Sequence, residues 1–127
     1  MSMYNMAQAD QQAITQVIHH YAEATASRDT KTIDQTFHAD FRVVALTPEG
    51  PRILDKATYL TLLEGGKIGG IKRQLEVKHI EVQDKTAQAK ISLTSDKVVF
   101  NDQLQLIQAP HGWQIVNNLT EVTPIQK

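Results

Sequence analysis

The first clear pattern along the chain is helical. Apolar and small side chains recur at spacings of three and four residues at Ile14, Val17, Ile18, Tyr21, Ala22 and Thr25. This spacing places them on one face of an amphipathic helix. Asp10 is suited to cap the start of that helix, and residues 1–9 are predicted to form a flexible tail. The helix therefore needs an apolar surface to cover.

A second, shorter helix is predicted directly after the first. Asp29 or Thr30 can cap its start, because a short polar side chain accepts a hydrogen bond from the free N–H groups of the first turn. Its inner face would carry Ile33 and Phe37. Together the two helices would form a cover over the rest of the domain.

The next segment is predicted to form a pair of strands and a third helix. Residues 41–47 are rich in β-branched and apolar side chains, residues 48–51 form a turn, and residues 52–54 return as a short partner. Asp55 can then cap a helix. The apolar stripe of this helix consists of Tyr59, Leu62 and Leu63. The glycine-rich segment 65–70 would end it as a mobile connection.

The remainder of the chain shows the two-residue period of β-strands. Within residues 72–83 the apolar positions change parity between Val77 and Ile80, which predicts a β-bulge near Lys78 and His79. Clean alternation follows in the next two strands. Their apolar faces consist of Ala87, Ala89, Ile91 and Leu93, and then of Phe100, Asp102, Leu104 and Leu106.

A hairpin turn at residues 109–112 leads into a last predicted strand over residues 113–119. On this strand Trp113, Ile115 and Asn117 share a parity that would point them inward. Helices concentrated early in the chain and strands late are typical of an α+β fold. The pattern therefore predicts helices packed on one face of an antiparallel sheet.

Composition refines this picture mainly by exclusion. A chain of 127 residues fits one domain, assigned to residues 10–127, and a net charge of −1 gives no support for binding nucleic acid or an anionic membrane. The chain has no cysteine, which excludes disulfides, thiolate nucleophiles and Cys-ligated metals. No apolar stretch approaches the roughly 20 residues that span a bilayer. With no signal peptide visible, the expected location is the cytoplasm.

Three segments, in their order and spacing, carry a family resemblance: residues 21–29, 37–43 and 101–118. They resemble the nuclear transport factor 2-like superfamily, which includes ketosteroid isomerases and SnoaL-type cyclases. The third segment is most similar to the branch named "putative lumazine-binding". The resemblance covers residues 10–122. It implies a cone-shaped half-barrel, a pocket between the helices and the concave sheet, and a homodimer formed through the outer sheet face.

The resemblance also implies where chemistry could occur. Tyr21 matches the tyrosine that hydrogen-bonds the oxyanion in ketosteroid isomerases, and Asp102 lies at or near their second donor, a carboxylic acid kept protonated by apolar surroundings. From the pattern alone, Asp102 shares an apolar strand face, so its carboxyl should be paired or have a raised pKa. Those isomerases also need an Asp base late in the first strand. Ala45 or a neighbour occupies that position here, and residues 41–47 contain no carboxylate.

The predicted ligand-binding residues are Tyr21, Phe37, Phe41, Tyr59, Asp102, Trp113 and Asn117. No metal site is predicted, because the five histidines lack metal-ligand spacing. No cofactor is predicted either, since the glycine-rich segment 65–70 fits neither common phosphate-binding motif. Lys67, Lys72 and Arg73 could receive an anionic ligand, although dispersed charges usually form a solvated edge.

Three functions remain open at this point. The first is binding of a small organic molecule without chemistry, which the missing base, nucleophile and metal motifs favour. The second is an isomerase, cyclase or dehydratase in which Tyr21 and Asp102 polarise a carbonyl group. The third is a homodimeric protein-interaction module that uses the outer sheet face. That face is predicted to carry Gln103, Gln105, Gln114 and Val116.

Overall fold

The computed structural model describes the backbone of residues 3–125 and the side chains of residues 8–125. Within that part the elements are α1 (Met3–Ser27), α2 (Thr30–Thr36), β1 (Phe37–Thr47), β2 (Gly50–Asp55), α3 (Lys56–Glu64), β3 (Gln74–Gln83), β4 (Thr86–Thr94), β5 (Val98–Ala109) and β6 (Gly112–Pro124). The strands form one curved, open sheet in the order β2-β1-β6-β5-β4-β3. The predicted α+β half-barrel is confirmed. The sheet is antiparallel except between β1 and β6, which run parallel.

Helix α1 is longer than the sequence pattern predicts. It begins at Met3, so the segment predicted as a tail is helical over residues 3–9, and Asp10 lies inside the helix instead of capping it. Met, Ala and Gln, which occur here, favour a helix even where no apolar stripe marks it. Residues 1 and 2 lie outside the described part of the chain, and the predicted flexibility of this segment stays a prediction.

The two shorter helices begin as predicted. The carboxylates of Asp29 and Asp55 accept hydrogen bonds from backbone N–H groups in the first turns of α2 and α3, at 3.1 and 2.8 Å. Phe37, predicted on the inner face of α2, is instead the first residue of β1 and has an extended backbone. Its N–H still bonds the carbonyl of Ile33, so the strand leaves directly from the last helical turn.

The strands β3 and β4 follow the predicted pattern closely. The register between them shifts between Val77 and His79, which confirms the predicted β-bulge. The alternating positions of β4 are buried as expected, at Ala87, Ala89, Ile91 and Leu93. An apolar parity change in one strand is therefore enough to locate a bulge.

Strand β6 contains a second bulge that the pattern does not reveal. Leu106 pairs with Ile115 whereas Gln105 pairs with Asn117, so Val116 is the extra residue. Because side chains alternate across a strand, this insertion places Asn117 on the face opposite Ile115. The prediction that Asn117 points inward is therefore wrong.

The hydrophobic core fills one end of the space between the helices and the sheet. Its largest buried side chains include Ile14, Ile18, Ile33, Phe37, Phe41, Leu63, Leu104, Leu106, Trp113 and Ile115. The rings of Phe37 and Phe41 stack with their centroids 3.6 Å apart. The other end of the same space is open, and the candidate site lies there.

Candidate functional site

A cavity of about 370 Å³ occupies the open end. It is enclosed by α1, α3, the segment between α3 and β3, and the strands β1, β2, β4, β5 and β6. Much of its wall is apolar, formed by Val43, Leu54, Ile68, Leu93, Phe100 and Val122. A concave, mostly apolar cavity of this size is typical of a site for a small organic molecule.

The floor of the cavity carries a buried hydrogen-bond network centred on Asn118. The amide nitrogen of Asn118 donates to the phenol oxygen of Tyr21 at 3.2 Å and to Oδ2 of Asp102 at 3.1 Å. Tyr21, Asn118 and Asp102 are 7%, 1% and 3% exposed. The bulge at Val116 creates this arrangement, because it turns Asn118 inward instead of its neighbour. Asn118 thus links α1 to β5.

Three buried polar atoms of the floor have no hydrogen bond of good geometry among the described residues, although the Thr120 hydroxyl lies directly across the strand pair from Asp102. They are Oδ1 of Asp102, Oδ1 of Asn118 and Oγ1 of Thr120, and each is buried. All three residues line the cavity. Buried polar atoms are normally paired, because burying an unpaired one costs about 1–3 kcal/mol. The partners of buried polar atoms of this kind are neighbouring side chains, ordered water or a ligand.

Burial raises the pKa of the Asp102 carboxyl above its ordinary value of 3.8. The nearby Thr120 hydroxyl and the Asn118 amide oppose this rise, and the Arg73 guanidinium opposes it from further away. Removal from water is the dominant effect because the charged form loses its hydration. Asp102 consequently keeps its proton to a higher pH than an exposed carboxyl does.

The two tyrosines of the cavity stay neutral over a wide pH range. Burial raises the pKa of Tyr21 well above 10.0, and the nearby Tyr59 and Asp102 raise it further. Burial also raises the pKa of Tyr59, whose phenol oxygen lies 3.1 Å from the hydroxyl oxygen of Thr25. Both phenols therefore remain O–H donors at neutral pH.

The structure brings only some of the predicted ligand-binding residues to the cavity. Tyr21, Tyr59 and Asp102 line it. The aromatic residues Phe37, Phe41 and Trp113 are buried in the filled end instead. Phe37 and Phe41 support the cavity indirectly, since both rings pack against Tyr59, at 5.1 and 6.1 Å between centroids.

Asn117 and the basic residues also differ from expectation. Asn117 lies on the outer face, beside Gln103, Gln105 and Leu119. Of the three basic residues near the glycines, Lys67 and Arg73 line the cavity whereas Lys72 does not.

The sequence pattern did not indicate that Asn118, Thr120 and Arg52 line the cavity. The only signal for Asn118 is the adjacent pair of asparagines, which is ambiguous about which one points inward.

The glycine-rich segment is attached to the end of α1. The Arg28 side chain donates to the backbone carbonyls of Gly66, Ile68 and Gly69 at 3.4, 3.2 and 3.2 Å. The N–H of Gly70 donates to the carbonyl of Thr25 at 3.0 Å. This segment is therefore attached to α1 and forms a wall of the cavity, and its predicted mobility stays a prediction.

Neither a metal site nor a membrane span emerges from the described residues. Among the side chains of residues 8–125, no three from His, Asp or Glu come together in a way that could hold a metal ion. No helix in that range combines the length and apolar character needed to cross a bilayer. The absence of a resident metal or cofactor stays a prediction.

Solved structures with the same architecture cover nearly the whole chain. A nuclear transport factor 2-like protein of unknown function from Silicibacter pomeroyi superposes with a TM-score of 0.80 at 15% identity, covering 96% of this chain and 99% of that one. One from Shewanella baltica gives 0.80 at 13% identity, covering 98% and 99%. A conserved protein from Planctomyces limnophilus gives 0.73 at 23% identity, covering 93% and 99%.

These similarities establish the nuclear transport factor 2-like fold. A search of curated proteins gave no significant match. The family described as "Putative lumazine-binding" matches residues 9–119. The chain belongs to this family, as the C-terminal segment predicts.

Proposed function

We propose that this protein binds a small organic molecule in the cavity between its helices and its sheet. The observation that carries the proposal is a cavity of about 370 Å³ with a largely apolar wall and a polar floor formed by Tyr21, Asp102 and Asn118. A ligand with an apolar body and a hydrogen-bonding end would match both parts of this lining. The description of the family points to the same class of ligand.

Native mass spectrometry of freshly purified protein tests this proposal. The expected result is an adduct that is present in the intact spectrum and absent after denaturation. Ala45→Trp, which adds bulk from the β1 wall into the cavity, should abolish it. Leu46→Trp adds the same ring at an exposed position of the same strand and should keep it. If the adduct survives Ala45→Trp, it lies elsewhere and the proposal fails.

A second candidate is an enzyme in which Tyr21 and Asp102 polarise a carbonyl group. It is favoured by the shared contact of both residues with Asn118 and by the raised pKa of Asp102, which can donate while protonated. Against it, the cavity lining contains no histidine and no carboxyl other than Asp102 to act as a base. Isomerase-type turnover that Tyr21→Phe and Asp102→Asn each reduce at least tenfold would support an enzyme.

The proposed assembly is a homodimer formed through the outer sheet face. That face presents Gln103, Gln105, Asn117 and Leu119, and Leu119 is 44% exposed. Mixed amide and apolar surfaces of this kind suit a protein interface. Light scattering on the purified protein should give the dimer mass, and Leu119→Glu should give the monomer mass. The expected location is the cytoplasm, which imaging of the tagged full-length protein would test.

A further inference from the structure

Charge is distributed unevenly over the cavity. The chain as a whole has a formal net charge of −1, yet the cavity is lined by three basic side chains and a single acidic one. The basic residues are Arg52, Lys67 and Arg73, and the acid is Asp102. The lining of the cavity therefore carries more basic than acidic groups, in a protein that is nearly neutral as a whole.

Two of the basic residues lie at the end of the cavity that faces solvent. Arg52 comes from β2 and Lys67 from the glycine-rich segment, and both are exposed. Arg73 is half-buried, and Asp102 and Asn118 at the floor are buried. A molecule that fills the cavity would therefore meet positive charge at its outer end and hydrogen-bonding groups without positive charge at its inner end.

Arg73 is the best placed of the three to hold a ligand. Its guanidinium lies 4.4 Å from the ring centroid of Phe100, which also lines the cavity. Its Nε is buried and has no hydrogen-bond partner among the described residues. Its positive charge lowers the pKa values of Asp102 and Tyr59, against the larger effect of burial.

Within residues 8–125, none of these three basic side chains forms an ion pair. Arg is the residue best suited to a flat anionic group, because its N–H donors match the geometry of carboxylate and phosphate oxygens. A partly buried guanidinium would gain more from such a group than an exposed one, because water screens the contact less.

On these observations, and resting on the proposed function, we infer that the ligand is an amphipathic organic anion. Its carboxylate or phosphate contacts Arg73, with Lys67 and Arg52 nearby, and its apolar body lies along Phe100. Its uncharged inner end meets Asp102 and Asn118. The chemistry of the site thus selects for a negative charge at one end of the molecule and against one at the other.

A matched pair of fluorescent probes tests the inference. 8-Anilino-1-naphthalenesulfonate and N-phenyl-1-naphthylamine share one aromatic skeleton and differ in the sulfonate group. The anionic probe should bind at least tenfold more tightly than the neutral one. Arg73→Met, which keeps an apolar stem, should weaken the anionic probe about tenfold to a hundredfold and leave the neutral probe within about twofold. Lys72→Met removes the same charge one residue away, outside the cavity lining, and should change neither affinity.

The outcomes separate the inference from the function on which it rests. Equal binding of both probes, lost together in Ala45→Trp, would overturn the anion preference and leave the ligand-binding function intact. Binding of the anionic probe that survives Ala45→Trp would show a surface site for the probe and overturn the inference, whereas the ligand-binding function fails only if the native adduct survives the same substitution. Equal weakening by Arg73→Met and Lys72→Met would reduce the effect to net charge and overturn the role of Arg73.

Displacement of the anionic probe identifies the acidic group. 1-Naphthoate supplies a carboxylate and 1-naphthyl phosphate a phosphate on the same ring system, with 1-naphthamide as the uncharged control. Displacement of the anionic probe by either anion at a concentration at least tenfold lower than that of the amide would support the inference. The more effective anion would identify the acidic group that the site prefers. Displacement by the amide at the same concentration as the anions would overturn it.

Discussion

Strands β5 and β6 each pass through two environments on the same face of the sheet. At one end their inward side chains are Leu104, Leu106, Trp113 and Ile115, which are buried in a filled core. At the other end their inward side chains include Asp102, Asn118 and Thr120, which form the floor of a cavity. Along β6 the change occurs at Val116, where the bulge shifts the parity of the strand.

The difference between the two ends separates the region that stabilises the fold from the region proposed to bind a ligand. In the filled end, apolar side chains pack against α1, α2 and the aromatic cluster, and their burial drives folding. In the open end, the inward side chains of β5 and β6 include polar groups, and a cavity remains between them and the helices. On the proposed function, the packed core and the ligand site thus occupy different ends of the same sheet.

The largest effect is expected from removing a ring at the filled end. Phe37→Ala should lower the free energy of unfolding by about 3–5 kcal/mol, because it leaves a void beside the stacked Phe41 ring. Phe100→Ala, the same change at the open end, should cost about 1–2 kcal/mol because Phe100 is only partly buried beside an existing cavity. Denaturant titrations of both variants measure the contrast, and equal losses would mean that the two ends are equally packed.

The next effect tests how firmly the glycine-rich wall is attached to the open end. Gly69 has a φ of +70°, and an added Cβ would lie 2.5 Å from the carbonyl oxygen of Thr25 and 2.6 Å from Cδ1 of Leu63. Gly69→Ala should therefore lower the free energy of unfolding by about 2–4 kcal/mol. Alanine is strained at this positive φ, and its Cβ would overlap with Thr25 and Leu63.

Gly66 is the matched control for this wall. Its φ is +73°, but its nearest neighbour would be Cζ of Arg28, at 3.9 Å. Gly66→Ala should lower the free energy of unfolding by only about 1–2 kcal/mol, which is the strain of alanine at a positive φ. Thermal unfolding of the two variants separates the contributions. Equal losses of stability in Gly69→Ala and Gly66→Ala would mean that the wall can move away from Thr25 and is held less firmly than its hydrogen bonds indicate.

The same contrast explains which parts of the molecule could be predicted from sequence. Strand β4 and the β3 bulge between Val77 and His79 were predictable because their apolar positions differ sharply from their polar ones. The β6 bulge at Val116 could not be predicted, since two adjacent asparagines follow it and either can point inward without changing the pattern. The position of Asp102 was predictable because Leu104 and Leu106 define its parity.

Other features depend on contacts between distant parts of the chain. The parallel pairing of β1 with β6 joins segments far apart in sequence, and no local pattern specifies it. The attachment of the glycine-rich wall depends on Arg28, whose spacing to the wall has no sequence signature. The early start of α1 at Met3 was missed because helix propensity alone, without an apolar stripe, gives a weak signal.

A pair of asparagine variants tests the bulge and its consequence for the floor. Asn118→Ala removes the donor to both Tyr21 and Asp102 and should cost about 1–3 kcal/mol, because it leaves two buried oxygens unpaired. Asn117→Ala, on the outer face, should change the stability of the monomeric protein by less than about 0.5 kcal/mol. Chemical denaturation of the two variants in a Leu119→Glu background removes any contribution from a dimer. A larger loss for Asn117→Ala would mean that β6 has no bulge at Val116.

The smallest effect concerns the dependence of stability on pH. The folded protein holds the Asp102 proton to a higher pH than the unfolded chain, whose carboxyl titrates near 3.8. The stability that this proton provides is fully present below pH 3.8 and is lost as pH rises through the higher folded pKa, because the unfolded chain then binds fewer protons. Asp102→Asn should remove this loss, since the neutral amide can still accept from Asn118.

The measurement is the midpoint of urea unfolding from pH 4 to pH 8 for wild type, Asp102→Asn and Asp96→Asn, the last of which removes a charge from an exposed loop. The difference between Asp102→Asn and wild type should grow in favour of the variant as pH rises, whereas Asp96→Asn should follow wild type.

An anionic ligand sharpens the test, because the charge of Arg73 also acts on the pKa of Asp102. Neutralising Arg73 with a bound anion should raise the pKa of Asp102 further and move the loss of stability to higher pH. A shift in the opposite direction would mean that the anion approaches Asp102 through hydrogen-bond donors rather than through Arg73.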